Sequence, residues 1–390
     1  MDKKNKTPNV PNLRFTNNQL KDFKIVDICK LKQGNQYDLK QQFTEEKSDL
    51  KRFIRIIDYT QKTNDIRYVY SNGSENYVDC TDVVVVRYGA SAGYVGRGIN
   101  GIIANNLFTI RPINSALLNK SYLYHYLNAP VIQKQLNNTQ SSGMPALNFQ
   151  TINNLHILLP EYQEQRQIAV FLDKIDERIQ TQIKIIELKQ SLIKDIEDKL
   201  LWKSASTYSR HISDFLTELN DKSKIQNQYP LLSSTKKGLF LQTDYFNKEA
   251  ASSNNIGYKI VHEGDIIISP QNLWMGNITY NDKFVNGLVS PSYRIYKVKE
   301  EYNAYYISRI LMSYRALSLY KNISEQGASI VRRNLNVDAF NELCFPIPNI
   351  KKQDEVSLFL SKLHQELNSE IEILRQLKNQ KKYLLCNMFI

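Results

Sequence analysis

Pro160-Glu-Tyr-Gln-Glu-Gln165-Arg-Gln-Ile168-Ala-Val-Phe171-Leu172-Asp-Lys-Ile175-Asp176 opens a stretch that continues without Gly or Pro to Leu201. Ile168, Leu172, Ile175, Ile179, Ile183, Ile186, Ile193, Ile196 and Leu200 stand mostly three or four apart, the stripe of a helix that buries one face. Leu172, Ile179, Ile186, Ile193 and Leu200 recur at every seventh position, so this face can meet another helix along a seam. A helix from Glu164 to Leu201 is about 57 Å long at about 1.5 Å per residue, too long for an ordinary globular domain.

The same stretch occurs twice. Pro348, Gln353, Val356, Phe359, Leu360 and Lys362 follow Pro160, Gln165, Ile168, Phe171, Leu172 and Lys174 at a constant offset of 188 residues. The seam is copied as Val356, Leu360, Leu363, Leu367, Ile371, Leu374, Leu377, Leu384 and Met388. Upstream of the prolines, Leu147-Asn148 matches Leu335-Asn336, Asn153 matches Asn341, and Leu155 matches Leu343. An internal repeat of this kind makes the chain two copies of one unit, each a body ending in a long helix. The two helices are expected to form an intramolecular coiled coil. Gln182 and Lys189 interrupt one seam, Glu370 and Lys381 the other, and the packing is expected to be loosest there, where partners could dock.

With 390 residues, 42% of them hydrophobic, the chain has material for two or three domains. No apolar run approaches the roughly 18 residues of a membrane span, and the first residues carry no apolar signal region, so a cytoplasmic protein is expected. Cys29, Cys80, Cys344 and Cys386 share no C-x-x-C spacing and read as buried reduced thiols. The net charge of +12 is unevenly placed: +7 over residues 1–163 and +6 over 202–352, against −1 over 164–201 and zero over 353–388. Two basic bodies separated by neutral helices suit two similar sites for a polyanion, because Lys and Arg supply the phosphate-directed part of nucleic-acid affinity.

Residues 1–24 read as a loose polar arm. The first body then reads as short strands at 52–57, 66–70, 83–86 and 107–110, with a turn at 77–82, a short helix at 121–128, a loop at 139–145 and a last strand at 155–159. The second body keeps that order: a strand at 266–269, a loop at 270–277, a strand at 292–296, one helical segment from Tyr305 to Tyr320, a loop with Gly327, and 343–347 leading into the second helix. The bodies share an architecture but few loop residues, as two readers of different targets on one scaffold would.

Gly96-Arg-Gly98-Ile-Asn-Gly101 fits G-x-G-x-x-G after a strand, but a dinucleotide site needs a helix opening at the glycines and an acid about twenty residues later. Asn100, Asn105 and Asn106 interrupt any helix, and Leu117 to Tyr124 holds no acid, so turn glycines are the expectation. Asp38, Glu45, Glu46 and Lys47 loosely match a nuclease set at a spacing common in Lys-rich chains. His125, His156, His211, His262 and His364 form no H-x-x-x-H pair for a metal. No G-x-x-x-x-G-K-[ST] loop and no Asn-Pro-Pro-aromatic motif is present, and nothing marks an enzyme by itself.

Binding chemistry remains. Arg87, Tyr88, Ser91, Tyr94 and Arg97 mix cations, hydroxyls and aromatics on one loop, as Gln271, Asn272, Trp274 and Asn277 do in the second body. Arg grips guanine O6/N7 and Asn or Gln grips adenine N6/N7 bidentately, so such loops suit base edges. Lys236-Lys237 and Arg332-Arg333 suit phosphates, which position a protein without specifying sequence.

The pattern Gly143, Leu147-Asn, Leu155-His-Ile-Leu-Leu-Pro160, Glu164-Gln165, Ile168-Ala, Leu172-Asp, Ile175-Asp176, the heptad helix after it and a weaker second copy resembles the specificity subunit of type I restriction–modification systems. The likeness covers nearly the whole chain and is strongest at the two Pro-to-helix junctions. In the second junction Asp354-Glu355 stand where Arg166-Gln167 do and Lys352 replaces Glu164, which keeps the helix but breaks the side-chain match. The resemblance implies an α+β fold: two mixed α/β target-recognition domains, residues 1–160 and 204–347, joined by spacer helices 161–203 and 348–390 packed as an antiparallel coiled coil with pseudo-two-fold symmetry. It implies that each domain reads one half of a bipartite double-stranded DNA target. It further implies docking of two modification subunits, which carry S-adenosylmethionine for adenine N6 methylation, and of restriction motor-nuclease subunits that use ATP and Mg, with no cofactor in this chain. A coiled-coil adaptor whose basic bodies bind protein or RNA is the alternative reading.

Overall fold

The structure, a computed structural model, describes residues 11–16, 18–61, 63–137, 145–203, 207–236, 238–245, 254–326 and 333–389. Its backbone divides into two compact units, Met1–Lys184 with Glu372–Ile390, and Ile185–Ile371. The long helices run over Tyr162–Trp202 and Ile350–Met388, so each contributes one part to each unit.

In the first unit an antiparallel sheet orders its strands Cys29–Gln33, Leu107–Pro112, Val83–Val86, Val95–Gly96. The β-branched run Val83–Val86 is buried on both faces, which accounts for its unbroken apolar sequence. A second sheet holds Arg67–Tyr70, Leu50–Ile54, Gly101–Ile103 and Tyr77–Val78, and Lys21–Lys24 pairs with His156–Leu159 just before the long helix. The main core joins Phe108, Tyr122, Tyr126 and Ile152 of the body to Ile168, Leu172, Ile175 and Ile179 of the first long helix and to Leu385, Met388 and Phe389 near the chain end. Full burial of a side chain such as Leu172 stabilises by about 1.5–3 kcal/mol, so this stripe fastens the body to the helix.

The second unit repeats that order with Leu216–Leu219, Arg294–Val298, Ile266–Ile268 and Ile278–Tyr280, and Thr207–His211 pairs with Cys344–Pro348 before the second long helix. Phe215, Ile310, Tyr320, Phe340 and Phe345 pack with Leu201 of the first long helix and with Val356 and Leu360 of the second.

Several expectations are corrected. The segment from Tyr305 to Tyr320 is two helices, Ala304–Leu311 and Tyr314–Asn322, because the Ser313 hydroxyl accepts from the Ala316 N–H and starts a new helix. The strand expected at 52–57 ends at Ile54, where Asp58 accepts the Arg55 N–H and turns Ile56–Thr60 helical. Tyr77–Val78 is a strand, not a turn. The arm is not loose over Arg14 to Thr16: the buried Glu164 carboxylate accepts the Phe15 and Thr16 N–H groups at 3.1 and 3.2 Å and pairs with Arg14 at 2.7 Å. Only Cys29 is buried, its thiol pushed up to about 12 by burial, whereas Cys80, Cys344 and Cys386 are exposed free thiols.

Three of the four polar seam residues, Lys189, Glu370 and Lys381, sit in ion pairs. In the first unit Lys381 pairs with Asp176. In the second, Lys189 lies 2.8 Å from Glu370, and Glu197, two turns further along the first helix, faces His364 at 3.6 Å. The two helices therefore run in opposite directions within that unit. Among the described residues no helix is long and apolar enough to cross a membrane.

Candidate nucleic-acid interface

Each body is seated on its helix by the same buried amide. Gln165 donates to the carbonyls of Leu117 (2.9 Å) and Pro160 (3.0 Å) and accepts the Asn119 N–H (3.0 Å). Gln353 donates to Pro348 (2.8 Å) and accepts the Asn303 N–H (2.9 Å). Asn119 and Asn303 in turn cap the helices Lys120–Leu127 and Ala304–Leu311. A glutamine inside an apolar stripe, present in both copies, was the sequence signal for this joint; its partners lie 46 and 50 residues upstream, beyond any local pattern.

A charged network reinforces each joint. Asp173 of the first long helix takes hydrogen bonds from Ser121, Arg97 and the buried His125. Burial alone would raise the Asp173 carboxyl; the bonds from His125, Arg97 and Ser121 outweigh it and hold the group below the usual carboxylate range. Burial likewise lowers His125 from its ordinary value of 6.5, although Asp173 opposes the shift. In the second unit Arg309 reaches Glu197 at 2.7 Å and Arg315 grips Asp198 through two nitrogens.

Arg87, Tyr88, Ser91 and Tyr94 share one loop, closed by mutual backbone bonds in which the Val86 N–H donates to Tyr94 and the Gly93 N–H to Val86. Its far side is pinned to residues 145–147 through the Gly89 N–H, which donates to Pro145, and the Leu147 N–H, which donates to Arg87. The Arg87 guanidinium stacks over Phe149 at 4.2 Å and Tyr88 at 4.9 Å and donates to Gln33, so it is half-buried. Ser91 is half-buried, while Tyr94 is exposed with its hydroxyl donating to the Tyr59 carbonyl. Arg97 leaves this group: stacked on Tyr124 at 3.9 Å and bonded to Asp173, it anchors the body, which corrects its assignment to a DNA-reading surface.

In the second body Ser269 and Asn277 close the loop, and Leu273–Met275 forms one tight helical turn within it. Gln271 is exposed, its carbonyl accepting the Arg333 N–H. The Arg333 guanidinium lies over the Trp274 ring at 4.6 Å, and the Trp274 indole N–H is buried without a hydrogen-bond partner among the described residues. Asn272 bonds Ser269 at 3.4 Å and is half-buried. Asn277 is buried, its amide bonded to both the hydroxyl and the carbonyl of Ser234, a correction of its expected place on the surface. Lys236 is exposed beside the hairpin of Leu232–Thr235 and Gly238–Leu241; Lys237 and Arg332 lie outside the described residues.

The stacked pairs are reciprocal. In the first body the loop supplies the cation and the segment before the long helix supplies Phe149; in the second the loop supplies Trp274 and that segment supplies Arg333. Asn148 and Asn336, at the repeat offset, cap the one-turn helices beside these partners.

The glycines of Gly96 to Gly101 open no helix. A Cβ on Gly96 would lie 2.6 Å from the Tyr59 ring, and one on Gly101 would lie 2.4 Å from the Arg52 carbonyl at a φ of +151°. They permit close sheet packing, not phosphate approach. Among the described residues no three His, Cys, Asp or Glu side chains gather at metal-binding distance.

Residues 17–190 match the family model described as type I restriction modification DNA specificity domain. Over 139 residues the chain is 27% identical to the specificity subunit of the type I restriction enzyme MjaVIII of Methanocaldococcus jannaschii; the match covers 35% of this chain and 32% of that relative, so it spans about a third of the relative's length. The chain's fold is similar to the crystal structure of a type I restriction–modification S subunit from M. genitalium, with a TM-score of 0.58 at 15% identity over 98% of this chain and 99% of the other. A structure described as the basis of complex assembly and conformational transition of the type I R-M system gives a TM-score of 0.53 at 12% identity, covering 94% and 96%.

Proposed function

We propose, for a chain whose residues 17–190 match the type I restriction modification DNA specificity domain, that it is the sequence-reading, non-catalytic subunit of such a complex. The observation that carries this reading is the duplicated body. One sheet order occurs twice, each copy is seated on a long helix by an equivalent glutamine, and each displays a polar and aromatic loop of different composition. A duplicated scaffold with divergent loops suits an asymmetric, two-part target, and the excess of positive charge in both bodies suits the phosphates of double-stranded DNA.

In this reading residues 1–160 and 204–347 are the recognition domains, and helices 161–203 and 348–390 form the antiparallel coiled coil that sets the distance between half-sites. Tyr88, Ser91 and Tyr94 with Arg87 behind them face one half-site; Gln271, Asn272 and the Trp274–Arg333 stack face the other. Lys236, Lys237 and Arg332 contact phosphates. The internal repeat offers two similar surfaces in one chain, as a two-fold dimer would, and so accommodates two modification subunits. Those subunits bring S-adenosylmethionine and adenine N6 methylation, and restriction subunits bring ATP and Mg chemistry.

Binding of the chain with its modification subunits to duplex libraries at two salt concentrations tests this. One bipartite sequence preferred by at least about a thousandfold over random duplex is expected. Equal affinity for all duplexes, or binding to protein or RNA alone, would replace the reading with that of a basic adaptor.

A further inference from the structure

Among the described residues Lys259 is the one lysine or arginine that lies buried, at 8% exposure, and its amine makes no hydrogen bond or ion pair there. A buried lysine is ordinarily paired, so an unpaired one carries a cost and calls for a role. It opens the strand Lys259–His262 and stands two residues before Val261. Its stem therefore shares the face of Val261, which packs with Val289 and Ile295 in the core of the second body. Two other cations accompany the amine. Lys222, exposed, is the cross-strand neighbour of Lys259. Arg294 spends Nη2 on Glu218 and Nε on Tyr296, at 3.1 Å for the latter, which leaves its Nη1 without a hydrogen bond among the described residues. Burial lowers the Lys259 amine from its ordinary value; Glu218 opposes the shift, and Arg294 and Lys222 reinforce it.

From this we infer that Lys259 is a site of covalent N-acylation by small acyl phosphates, with Lys222 and Arg294 holding the donor's phosphate beside it. A desolvated amine flanked by cations is the activated form of a lysine nucleophile. The neutral Nζ attacks the acyl carbon, the new N–C bond forms as the C–O bond to phosphate breaks, and inorganic phosphate leaves with that electron pair. The proton released from nitrogen passes to the departing phosphate or to water. The two cations serve both stages, since they bind the dianionic donor and stabilise the charge that gathers on the leaving oxygen. The slight exposure of Lys259 selects the donor class: a molecule of a few atoms reaches the amine, whereas a transferase needs an extended, exposed lysine segment. The product replaces a cation by a neutral amide near the root of the Gln271 loop, because Arg294 pairs in register with Ile268, the last strand residue before that loop.

The test treats the folded full chain with acetyl phosphate and follows the initial rate of acetylation at each lysine by peptide mass spectrometry. Lys259 should be acetylated at least about fivefold faster than the exposed Lys236, because the bound donor presents its acyl carbon to one amine. Inorganic phosphate should slow Lys259 and leave Lys236 unchanged. Lys222→Ser, a substitution at an exposed position, should slow Lys259 severalfold with acetyl phosphate and less with N-acetylimidazole, a donor that carries no phosphate. A Lys259 rate at or below that of Lys236, or one that rises only when urea unfolds the chain, would overturn the assignment. Equal loss with both donors in Lys222→Ser, together with no competition by phosphate, would overturn the acyl-phosphate class. These readouts do not involve nucleic acid, so their failure and that of the proposed function are separate results.

Discussion

Replacing Gln165 with Ala probes the joint on which the architecture depends. The side chain is almost fully buried and makes three hydrogen bonds, to Leu117, Pro160 and Asn119. A buried polar group left without its partner costs about 1–3 kcal/mol, so stranding the Asn119 N–H and the Leu117 carbonyl should cost about 3 kcal/mol, before any cavity is counted. Gln353→Ala, which removes two bonds, should cost about 2 kcal/mol in the second unit. The assay is hydrogen exchange at the amides of Asn119 and Asn303, each of which donates to one of these glutamines. Gln165→Ala should speed exchange at Asn119 by about a hundredfold and leave Asn303 protected, since about 1.4 kcal/mol is a factor of ten. Gln353→Ala should do the converse by about thirtyfold. Gln165→Glu provides the control: it keeps the acceptor for Asn119 but sets a carboxylate against two carbonyls, so the first unit should lose stability through a different bond. Acceleration below threefold at both amides in the alanine variants would refute the claim that one residue type fastens both bodies.

Other outcomes follow from the same geometry. The folded-state values of His125 and Asp173 both lie below their unfolded values, so both stabilise the first unit at neutral pH; the His125 contribution fades as pH falls below about 6.5 and that of Asp173 in more acidic solution. Thermal unfolding of His125→Gln should therefore show a flatter pH dependence between pH 7 and 5 than the native chain. Lys189→Glu places like charges opposite Glu370 and Glu366 and should destabilise the second unit by about 1 kcal/mol, with Glu370→Lys restoring most of it in a double-mutant cycle. Gln271→Ala should relax base choice in one half-site by about 1–3 kcal/mol while leaving the other unchanged. Lys236→Ala should weaken binding to every duplex and lower the slope of affinity against salt by about one.

The long helices and the repeat were legible because both rest on periodicity: an apolar stripe every three or four residues and one offset carried through two junctions. The loops were legible as glycine-rich and polar, but the direction of each side chain was not. Arg87 and Arg97 stand ten apart on one segment with similar neighbours, yet Arg97 turns onto Asp173, 76 residues away, and Arg87 onto Phe149. Nothing local distinguishes a cation meant for phosphate from one meant for a carboxylate on a distant helix. Asn277 reads as a loop residue and is buried because Ser234, from a different hairpin, satisfies its amide. The arm read as loose for the same reason, since the carboxylate that holds Arg14, Phe15 and Thr16 arrives about 150 residues later. Lys189 and Glu370 interrupt their own seams and complete each other's, a pairing visible only once both helices are in place.

The most direct measurement exchanges one body. A chimera carrying residues 1–160 from a related specificity subunit on residues 161–390 of this chain is expressed with the cognate modification subunits, and adenine methylation is mapped by single-molecule sequencing. Two independent readers on one spacer predict that one half of the methylated sequence changes while the other half and the spacing between them stay as they are. Methylation altered in both halves, or directed to no bipartite sequence by either protein, would contradict the account.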